Sequence, residues 1–244
     1  MSFMYAVFSD IHGNMFALDA VAQDMERFPV EGIILLGDII DYGMQSDDVT
    51  DFIRRNWQEK IICNIWGNHE RAILTGDFNG FSSERGVQCA KHTASILSEK
   101  TVEYLNNELV HDGFHEFVLG DRKVLAVHGS LEDRYWKAIA PDNLRGEYRD
   151  YDIVLSGHSH YSHVFSKFYE AEDPDRRGKH AVMFINPGSV GQPRNHNPAA
   201  QYVLLDEDTM SVNMRAVEYD VDGAMATYDG SVDDFYRARL KFGV

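Results

Sequence analysis

The first third of the chain alternates short apolar runs with segments whose apolar residues recur at helical spacing. The runs at residues 4–8, 32–36 and 61–65 predict buried strands. A helix beginning after Asn14, which is a favourable N-cap residue, and a second helix over residues 47–55 lie between them. This β-α-β-α-β order indicates parallel strands with right-handed crossovers and helices covering the sheet.

Helical periodicity follows the third strand, and strand signals dominate the second half of the chain. One helical stripe consists of Val87, Ala90, Ala94 and Leu97. Further strands with short polar connections are typical of hairpins or of a second sheet. They are predicted at residues 115–119, 123–127, 153–155, 164–168, 181–185, 202–206 and 211–217. Helical spacing then returns, and Ser231 and Asp234 have the spacing of a capping box.

No repeat, low-complexity tract or Gly/Ser/Pro-rich linker interrupts the sequence. We therefore expect a single domain over residues 1–244, with a helical insertion at about 71–110 and a C-terminal helical segment at about 223–244. The charged segment 170–179 is expected to be a solvated loop rather than a binding arm.

Composition and charge exclude several classes of protein. A hydrophobic content of 44% in 244 residues excludes a disordered chain, and no apolar run approaches the roughly 20 residues of a membrane span. The N-terminus has no basic region before its apolar run, so we expect no signal peptide. Two cysteines, expected to be reduced, favour a cytoplasmic protein. A net charge of −16 argues against a nucleic-acid partner, because an acidic surface repels a polyanion.

Polar clusters follow five of the predicted strands. In open α/β sheets, residues just beyond the carboxyl ends of parallel strands converge on one crevice. Five separate segments are therefore expected to deliver side chains to one place. The clusters are Asp10-Ile11-His12-Gly13-Asn14, Gly37-Asp38-Ile39-Ile40-Asp41, Gly67-Asn68-His69-Glu70, His128-Gly129-Ser130 and Gly157-His158-Ser159-His160.

These side chains have the chemistry of a metal site. Asp10 and His12 are two residues apart, and a second such pair is His158 and His160. In extended backbone, residues at that spacing point to the same side, so each pair is expected to bind one ion. Asp38 has two oxygens with which to bridge two ions. Mixed imidazole and carboxylate ligands suit Mn, Fe, Zn, Co or Ni.

The alternative is a set of ordinary hydrogen-bonded histidines at strand ends. A single D-x-H or G-D motif carries almost no information by itself. Burying several carboxylates and imidazoles together without metal ions would, however, cost heavily in desolvation and repulsion. The convergence of five such segments therefore favours the metal site.

In this order, the motifs D-x-H, G-D-x-x-D, G-N-H-E, a lone His at a strand end and G-H-x-H resemble the calcineurin-like metallophosphoesterase superfamily. The resemblance runs from the first strand to about Arg194. The segment 186–194, N-P-G-S-V-G-Q-P-R, is similar to the small bacterial phosphodiesterases, including relatives of a diadenosine tetraphosphate hydrolase. The family implies an α+β fold with four layers (α/β/β/α), in which two packed mixed β-sheets are flanked by helices.

The resemblance also implies a role for each motif residue. One ion would be bound by Asp10, His12 and His160, and Asp38 would bridge to a second ion. Asn68, His128 and His158 would complete that second site. His69 would be a catalytic histidine that donates a proton, and Asp41 would orient it. The implied activity is a dinuclear metal-dependent phosphohydrolase that cleaves a small soluble phosphoester with a metal-bridging hydroxide, with Mn or Fe favoured.

One departure from the family bears on the substrate. Serine/threonine phosphatases of the superfamily carry Arg directly after the second Asp of G-D-x-x-D, whereas this chain has Tyr42 there. This argues against a protein phosphatase and favours a phosphodiester or a nucleoside polyphosphate. Arg194 is the candidate substrate contact, and Arg71 is its alternative.

Several alternatives remain open at this stage. Tyr42 and residues 78–81 would form either an aromatic lid for a nucleobase or part of the core, and Glu70 is expected to be a structural hydrogen-bond acceptor. A non-catalytic binding scaffold with the same fold is a competing function, although the intact His69 argues against it. A DNA-end nuclease is a third, and the acidic charge argues against it. The physiological ester and the oligomeric state do not follow from the sequence.

Overall fold

The computed structural model describes residues 3–172 and 177–244, which form two five-stranded sheets flanked by helices. The strands are β1 (Met4–Phe8), β2 (Val30–Leu35), β3 (Ile61–Asn64), β4 (Phe114–Leu119), β5 (Arg122–Val127), β6 (Ile153–Ser156), β7 (His163–Glu170), β8 (Lys179–Asn186), β9 (Ala200–Asp206) and β10 (Val212–Val217). The α-helices are α1 (Met15–Met25), α2 (Ser46–Asn56), α3 (Asn68–Thr75), α4 (Glu84–Ile96), α5 (Glu99–Asn107), α6 (Val221–Ala226) and α7 (Asp234–Phe242).

The first sheet has the strand order β10-β9-β1-β2-β3. Its strands β1, β2 and β3 are parallel, whereas β9 and β10 run antiparallel to their neighbours. Parallel neighbours need crossover connections, which α1 and α2 provide. The side chain of Asn14 accepts a hydrogen bond from the backbone N–H of Ala17 and so caps α1. The predicted β-α-β-α-β order is confirmed.

The second sheet has the strand order β4-β5-β6-β8-β7, with β5, β6 and β8 parallel and both edge strands antiparallel. The prediction of short connections throughout this half is wrong at two points. Residues 187–199 join β8 to β9, which belongs to the first sheet. Residues 128–152 join β5 to β6, because parallel neighbours cannot be joined by a hairpin. The predicted charged loop 170–179 includes residues 173–176, which lie outside the described residues.

The two sheets pack face to face around an apolar layer. Fully buried side chains of this layer come from both sheets, for example Val7 and Val203 from the first and Val124 and Ile185 from the second. Each such burial contributes about 1.5–3 kcal/mol. Helices α1 and α2 pack on the outer face of the first sheet. The outer face of the second sheet packs against the long connection between β5 and β6, for example against Ile139 and Tyr148. The predicted α+β fold of two packed mixed sheets flanked by helices is confirmed.

Helices α3, α4 and α5 lie between β3 and β4, but the buried face of α4 differs from the predicted stripe. Gly86, Cys89, Ala90 and Thr93 are buried, whereas Ala94 is exposed. The predicted stripe is wrong because a polar residue, Thr93, takes an inward position on this helix.

No helix in residues 3–172 and 177–244 is long and apolar enough to cross a membrane.

The predicted capping box in the C-terminal segment is also wrong. The residue that caps α7 is Asp233, whose side chain accepts a hydrogen bond from the backbone N–H of Phe235. Ser231 is exposed and lies before the cap. Either residue type caps helices well, so the spacing alone did not distinguish them.

Candidate metal centre

The loops that follow β1, β2, β3, β5 and β6 bring the predicted site residues together at the carboxyl ends of these strands. Eight of these side chains are buried, and a ninth, His158, is partly exposed. The buried residues are Asp10, His12, Asp38, Asp41, Asn68, His69, His128 and His160.

One cluster consists of Asp10, His12 and His160, whose ligand atoms all lie within 4.8 Å of one another. Nε2 of His160 is 3.1 Å from Oδ1 of Asp10, and Nε2 of His12 is 3.7 Å from the same oxygen. This buried oxygen has no hydrogen-bond partner among the described residues. An unpaired buried carboxylate oxygen is costly, so the arrangement fits a bound cation.

A second cluster consists of Asp38, His128 and His158. Nε2 of His128 lies 3.3 Å from Oδ2 of Asp38. The side-chain oxygen Oδ1 of Asn68 is 3.0 Å from Nε2 of His128 and 2.8 Å from Nδ1 of His158. Oδ2 of Asp38 is also 3.7 Å from Nε2 of His12, so this carboxylate lies between the two clusters.

Backbone carbonyls fix the orientation of three of the imidazoles. Each of these rings places Nδ1 against a carbonyl oxygen, which leaves the Nε2 lone pair facing the cluster. The pairs are His12 with Ile40 at 3.2 Å, His128 with Leu36 at 2.7 Å and His160 with Gln192 at 2.6 Å. This is the hydrogen-bonding pattern of metal-binding histidines.

The backbone of these motifs is not extended, contrary to the prediction. Asp10, His12, His158 and His160 have φ values of +54°, +48°, +64° and +60°. Left-handed backbone in such residues costs of order 1–3 kcal/mol and persists only where the surroundings enforce it. As a result Asp10 and His12 share one cluster, whereas His158 and His160 fall into different clusters. The prediction that the second pair binds one ion is therefore wrong.

The electrostatics favour the protonation states that metal binding requires at Asp10, His158 and His160, but not at His128. Burial lowers the pKa of His158 to about 4 and, with Arg194 nearby, that of His160 to about 3, so both rings are neutral. Burial alone would raise the pKa of Asp10, but the adjacent His160 and His12 hold it well below its ordinary value. Asp38 raises the pKa of His128 to about 9 against the effect of burial, so an ion would have to displace that proton.

His69 lies beside the two clusters, forms a third group of possible ligands with His12 and Asp38, and also belongs to a hydrogen-bonded chain. Its Nδ1 lies 2.6 Å from Oδ2 of Asp41, whose other oxygen accepts a hydrogen bond of 2.6 Å from the Thr93 hydroxyl. Burial alone would lower the pKa of His69, but Asp38 and Asp41 raise it above its ordinary value. Thr93 was missed in the sequence, since nothing distinguishes it from other helical threonines.

Glu70 is a structural hydrogen-bond acceptor, as predicted. Its carboxylate accepts hydrogen bonds of 2.8 Å from the backbone N–H groups of Gly67, Asp38 and Ile39. A further hydrogen bond of 3.2 Å comes from Ile40. Glu70 thus joins the loop after β2 to the start of α3 and fixes the backbone that carries Asp38.

A cavity of about 210 Å³ opens above the two clusters. Its lining includes the Arg194 side chain and four aromatic or small residues, namely Tyr42, Gly80, Phe81 and Trp136. The guanidinium of Arg71 instead lies 4.8 Å from the Tyr135 ring centroid. Phe78 and Phe81 both pack against the core of the first sheet, and Phe81 also lines the cavity.

The fold and the clusters together define a metallophosphoesterase type of site: two packed sheets with histidines and aspartates at the strand ends. Residues 3–210 match the calcineurin-like phosphoesterase superfamily domain, and the chain belongs to this superfamily. The resemblance stated from the motifs is confirmed. So is the prediction of a metal-dependent phosphoesterase, at the level of the superfamily.

Three similar proteins extend this finding. An uncharacterized protein of Methanocaldococcus jannaschii is 28% identical over 230 residues, which cover 91% of this chain and 90% of the relative. Phosphodiesterase YfcE of Escherichia coli K12 is 23% identical over 216 residues, which cover 87% of this chain and 91% of the relative. A metallophosphoesterase from Sphaerobacter thermophilus has the same fold, with a TM-score of 0.75, 24% identity and full coverage of both chains.

Proposed function

We propose that this protein is a dinuclear metal-dependent phosphohydrolase that cleaves a small phosphodiester or nucleoside polyphosphate. The supporting observation is the pair of histidine–aspartate clusters that have Asp38 between them. The similarity to a protein named phosphodiesterase favours a diester. The mixed imidazole and carboxylate donors suit Mn, Fe, Zn, Co or Ni, and among these the resemblance to the superfamily favours Mn or Fe.

In this proposal each cluster holds one ion. Asp10, His12 and His160 would bind the first, and Asp38 would contribute to both. Asn68, His128 and His158 would complete the second. Ions bound there would supply two effects: a lower pKa of a water at the site and neutralisation of the charge on the phosphoryl oxygens.

The remaining residues act on the ester itself. His69 would donate a proton from Nε2 to the leaving oxygen, while Asp41 accepts the Nδ1–H and holds the ring in place. Arg194 would contact the phosphoryl group, since it lines the cavity. Tyr42 lies where a protein phosphatase would carry its phosphate-binding arginine, and its ring lies 4.4 Å from that of His69.

The proposal is tested by loading the metal-free protein with Mn²⁺, counting ions by elemental analysis and assaying bis(p-nitrophenyl) phosphate. We expect two ions per chain and metal-dependent hydrolysis. Asp38→Ala should lose both ions and the activity, because one carboxylate serves both clusters. Asp48→Ala, an exposed aspartate in α2, is the matched control and should retain both.

Two results would contradict the proposal. One is a folded, Mn²⁺-saturated protein that binds no ion or a single ion. The other is a protein with two ions that cleaves no diester, nucleotide or dinucleoside polyphosphate, which would favour the binding scaffold. Cleavage of DNA ends at low salt in preference to small esters would favour the nuclease.

A further inference from the structure

An aromatic corner lies beside His69 on one side of the cavity. It consists of Phe81, from the loop between α3 and α4, and Trp136, from the connection between β5 and β6. Their rings meet edge to face, with centroids 5.2 Å apart. Neither residue belongs to a metal-site motif, and Trp136 is only partly buried.

This corner is in direct contact with the site. The ring of Phe81 meets that of His69 edge to face at 5.1 Å, and Trp136 meets His158 in the same way at 6.4 Å. Nδ1 of His69 is engaged by Asp41, so the free end of the ring is Nε2. The ring that would donate a proton from Nε2 is thus itself packed against the aromatic corner.

The position of Trp136 depends on a glycine. A Cβ atom built on Gly80 would overlap the indole ring, so the backbone of the α3–α4 loop and the indole are in close contact. Gly80, Phe81 and Trp136 thus form a closely fitted apolar wall of the cavity. The rest of the lining consists of proposed ligands together with Tyr42, His69, Ser82 and Arg194.

We infer that this wall binds a planar aromatic or heteroaromatic group on the leaving-group side of the ester. The inference rests on the proposed function and names its substrate class: esters whose departing alcohol carries such a ring. Stacking of a ring on an aromatic side chain contributes about 1–3 kcal/mol. An aliphatic leaving group would gain none of this and would leave the wall facing water.

The reaction on such a substrate is a simple hydrolysis. The oxygen of one water forms a bond to phosphorus, and the bond from phosphorus to the leaving oxygen breaks. The leaving oxygen takes the proton of His69 and departs as the aromatic alcohol. The proton released by the water restores His69, so atoms and charge balance.

The test measures binding separately from turnover. Phenylphosphonate and methylphosphonate are titrated by calorimetry into the Mn²⁺-loaded protein, and the ratio of their Kd values gives the contribution of the ring. The wild type should favour the phenyl compound by about 10-fold, which corresponds to ~1.4 kcal/mol. Trp136→Ala should reduce this ratio to near one, whereas Trp136→Phe should keep most of it.

A second variant and a control protect the test against misfolding. Gly80→Ala should reduce the ratio with the indole still present, because the added Cβ displaces the ring. Lys137→Ala changes the next residue of the same connection, which is exposed and pairs with Glu132, and should keep the wild-type ratio. A wild type without phenyl preference, or a preference that survives in both Trp136→Ala and Gly80→Ala, would overturn the inference. Failure of the proposed function would show differently, as a loaded protein that binds phosphonates without hydrolysing any ester.

Discussion

The ring of Tyr236 in α7 stacks on the ring of Tyr42 in the metal-site loop, with centroids 4.5 Å apart and planes at 18°. Tyr42 in turn contacts two site histidines, at 4.5 Å from His12 and 4.4 Å from His69. Tyr236 lies beyond residue 210, where the superfamily match ends. The C-terminal helix therefore supports the site through Tyr42.

Replacing Tyr236 with leucine should misplace His69 without removing any ligand. We expect Tyr236→Leu to lower kcat by roughly 10- to 100-fold, the size of effect that follows small misplacements of catalytic groups. Metal content by elemental analysis should stay at the wild-type value. Tyr236→Phe keeps the stacked ring and should restore the rate. Phe242→Leu, an exposed change in the same helix, should have no effect, and an equal loss in that control would contradict the interpretation.

The role proposed for His69 gives a second prediction. His69→Ala should retain its metal ions, because His69 is not among the proposed ligands, but lose about 10²- to 10⁴-fold in kcat on an alkyl ester. With p-nitrophenolate as the leaving group the loss should be much smaller, since that group needs no proton. Both rates and the metal content are measured on the same preparation.

The neighbouring threonine provides the graded control for His69. Thr93→Val removes the hydrogen bond to Asp41 but leaves the contact between Asp41 and His69 intact. It should reduce the rate on the alkyl ester by less than the loss of His69. A metal-loaded His69→Ala protein that hydrolysed the alkyl ester at the wild-type rate would refute the proton-donor role.

The sequence was sufficient to predict the strands, the helix cap at Asn14 and the convergence of the motifs on one site. These follow from local patterns: apolar runs, a capping side chain and polar residues at strand ends. The left-handed backbone of Asp10 and His12 was not predictable in this way. This backbone is held by long-range hydrogen bonds. Asp10 N–H donates to the backbone carbonyl of Gly37 at 3.1 Å, and His12 N–H donates to the backbone carbonyl of Asp38 at 2.9 Å.

Three further residues of the site escaped sequence reasoning for a related reason. Thr93, Trp136 and Tyr236 lie in a helix, a long connection and the C-terminal segment, and none has a characteristic spacing to a motif. Their contribution depends on contacts between segments that are distant in the chain. A lone tryptophan or threonine has too many structural uses for its presence to indicate a site.

A third prediction concerns the arginine that contacts the phosphoryl group. Nε of Arg194 is buried without a hydrogen-bond partner among the described residues, and the side chain lines the cavity. Arg71 already stacks on Tyr135. Arg194→Ala should therefore lower kcat/KM by roughly 10- to 150-fold, the equivalent of one charge-assisted hydrogen bond. Arg71→Ala should change it less than threefold, and the reverse ranking would assign the contact to Arg71.

A fourth prediction concerns stability away from the site. The carboxylate of Asp24 in α1 accepts hydrogen bonds from the Tyr202 hydroxyl at 2.8 Å and from the Arg215 guanidinium at 2.8 and 3.0 Å. Burial alone would raise the pKa of Asp24, but these hydrogen bonds and the charge of Arg215 lower it below its ordinary value of 3.8. Asp24→Asn should lower the free energy of unfolding by about 1.5–3 kcal/mol at pH 7.

The sign of the pH dependence follows from this lowered pKa. The folded protein holds the proton of Asp24 less tightly than the unfolded chain, so the carboxylate stabilises the fold fully above about pH 5. That stabilisation is lost as the pH falls below the ordinary pKa of 3.8 and through the lower folded value. The difference between wild type and Asp24→Asn, measured by urea unfolding, should be constant from about pH 5 to 8 and shrink below about pH 4. Asp19→Asn, an exposed change in the same helix, should show neither effect. A difference that grew on acidification would mean that the folded pKa is raised and that the Arg215 contact does not stabilise the charged form.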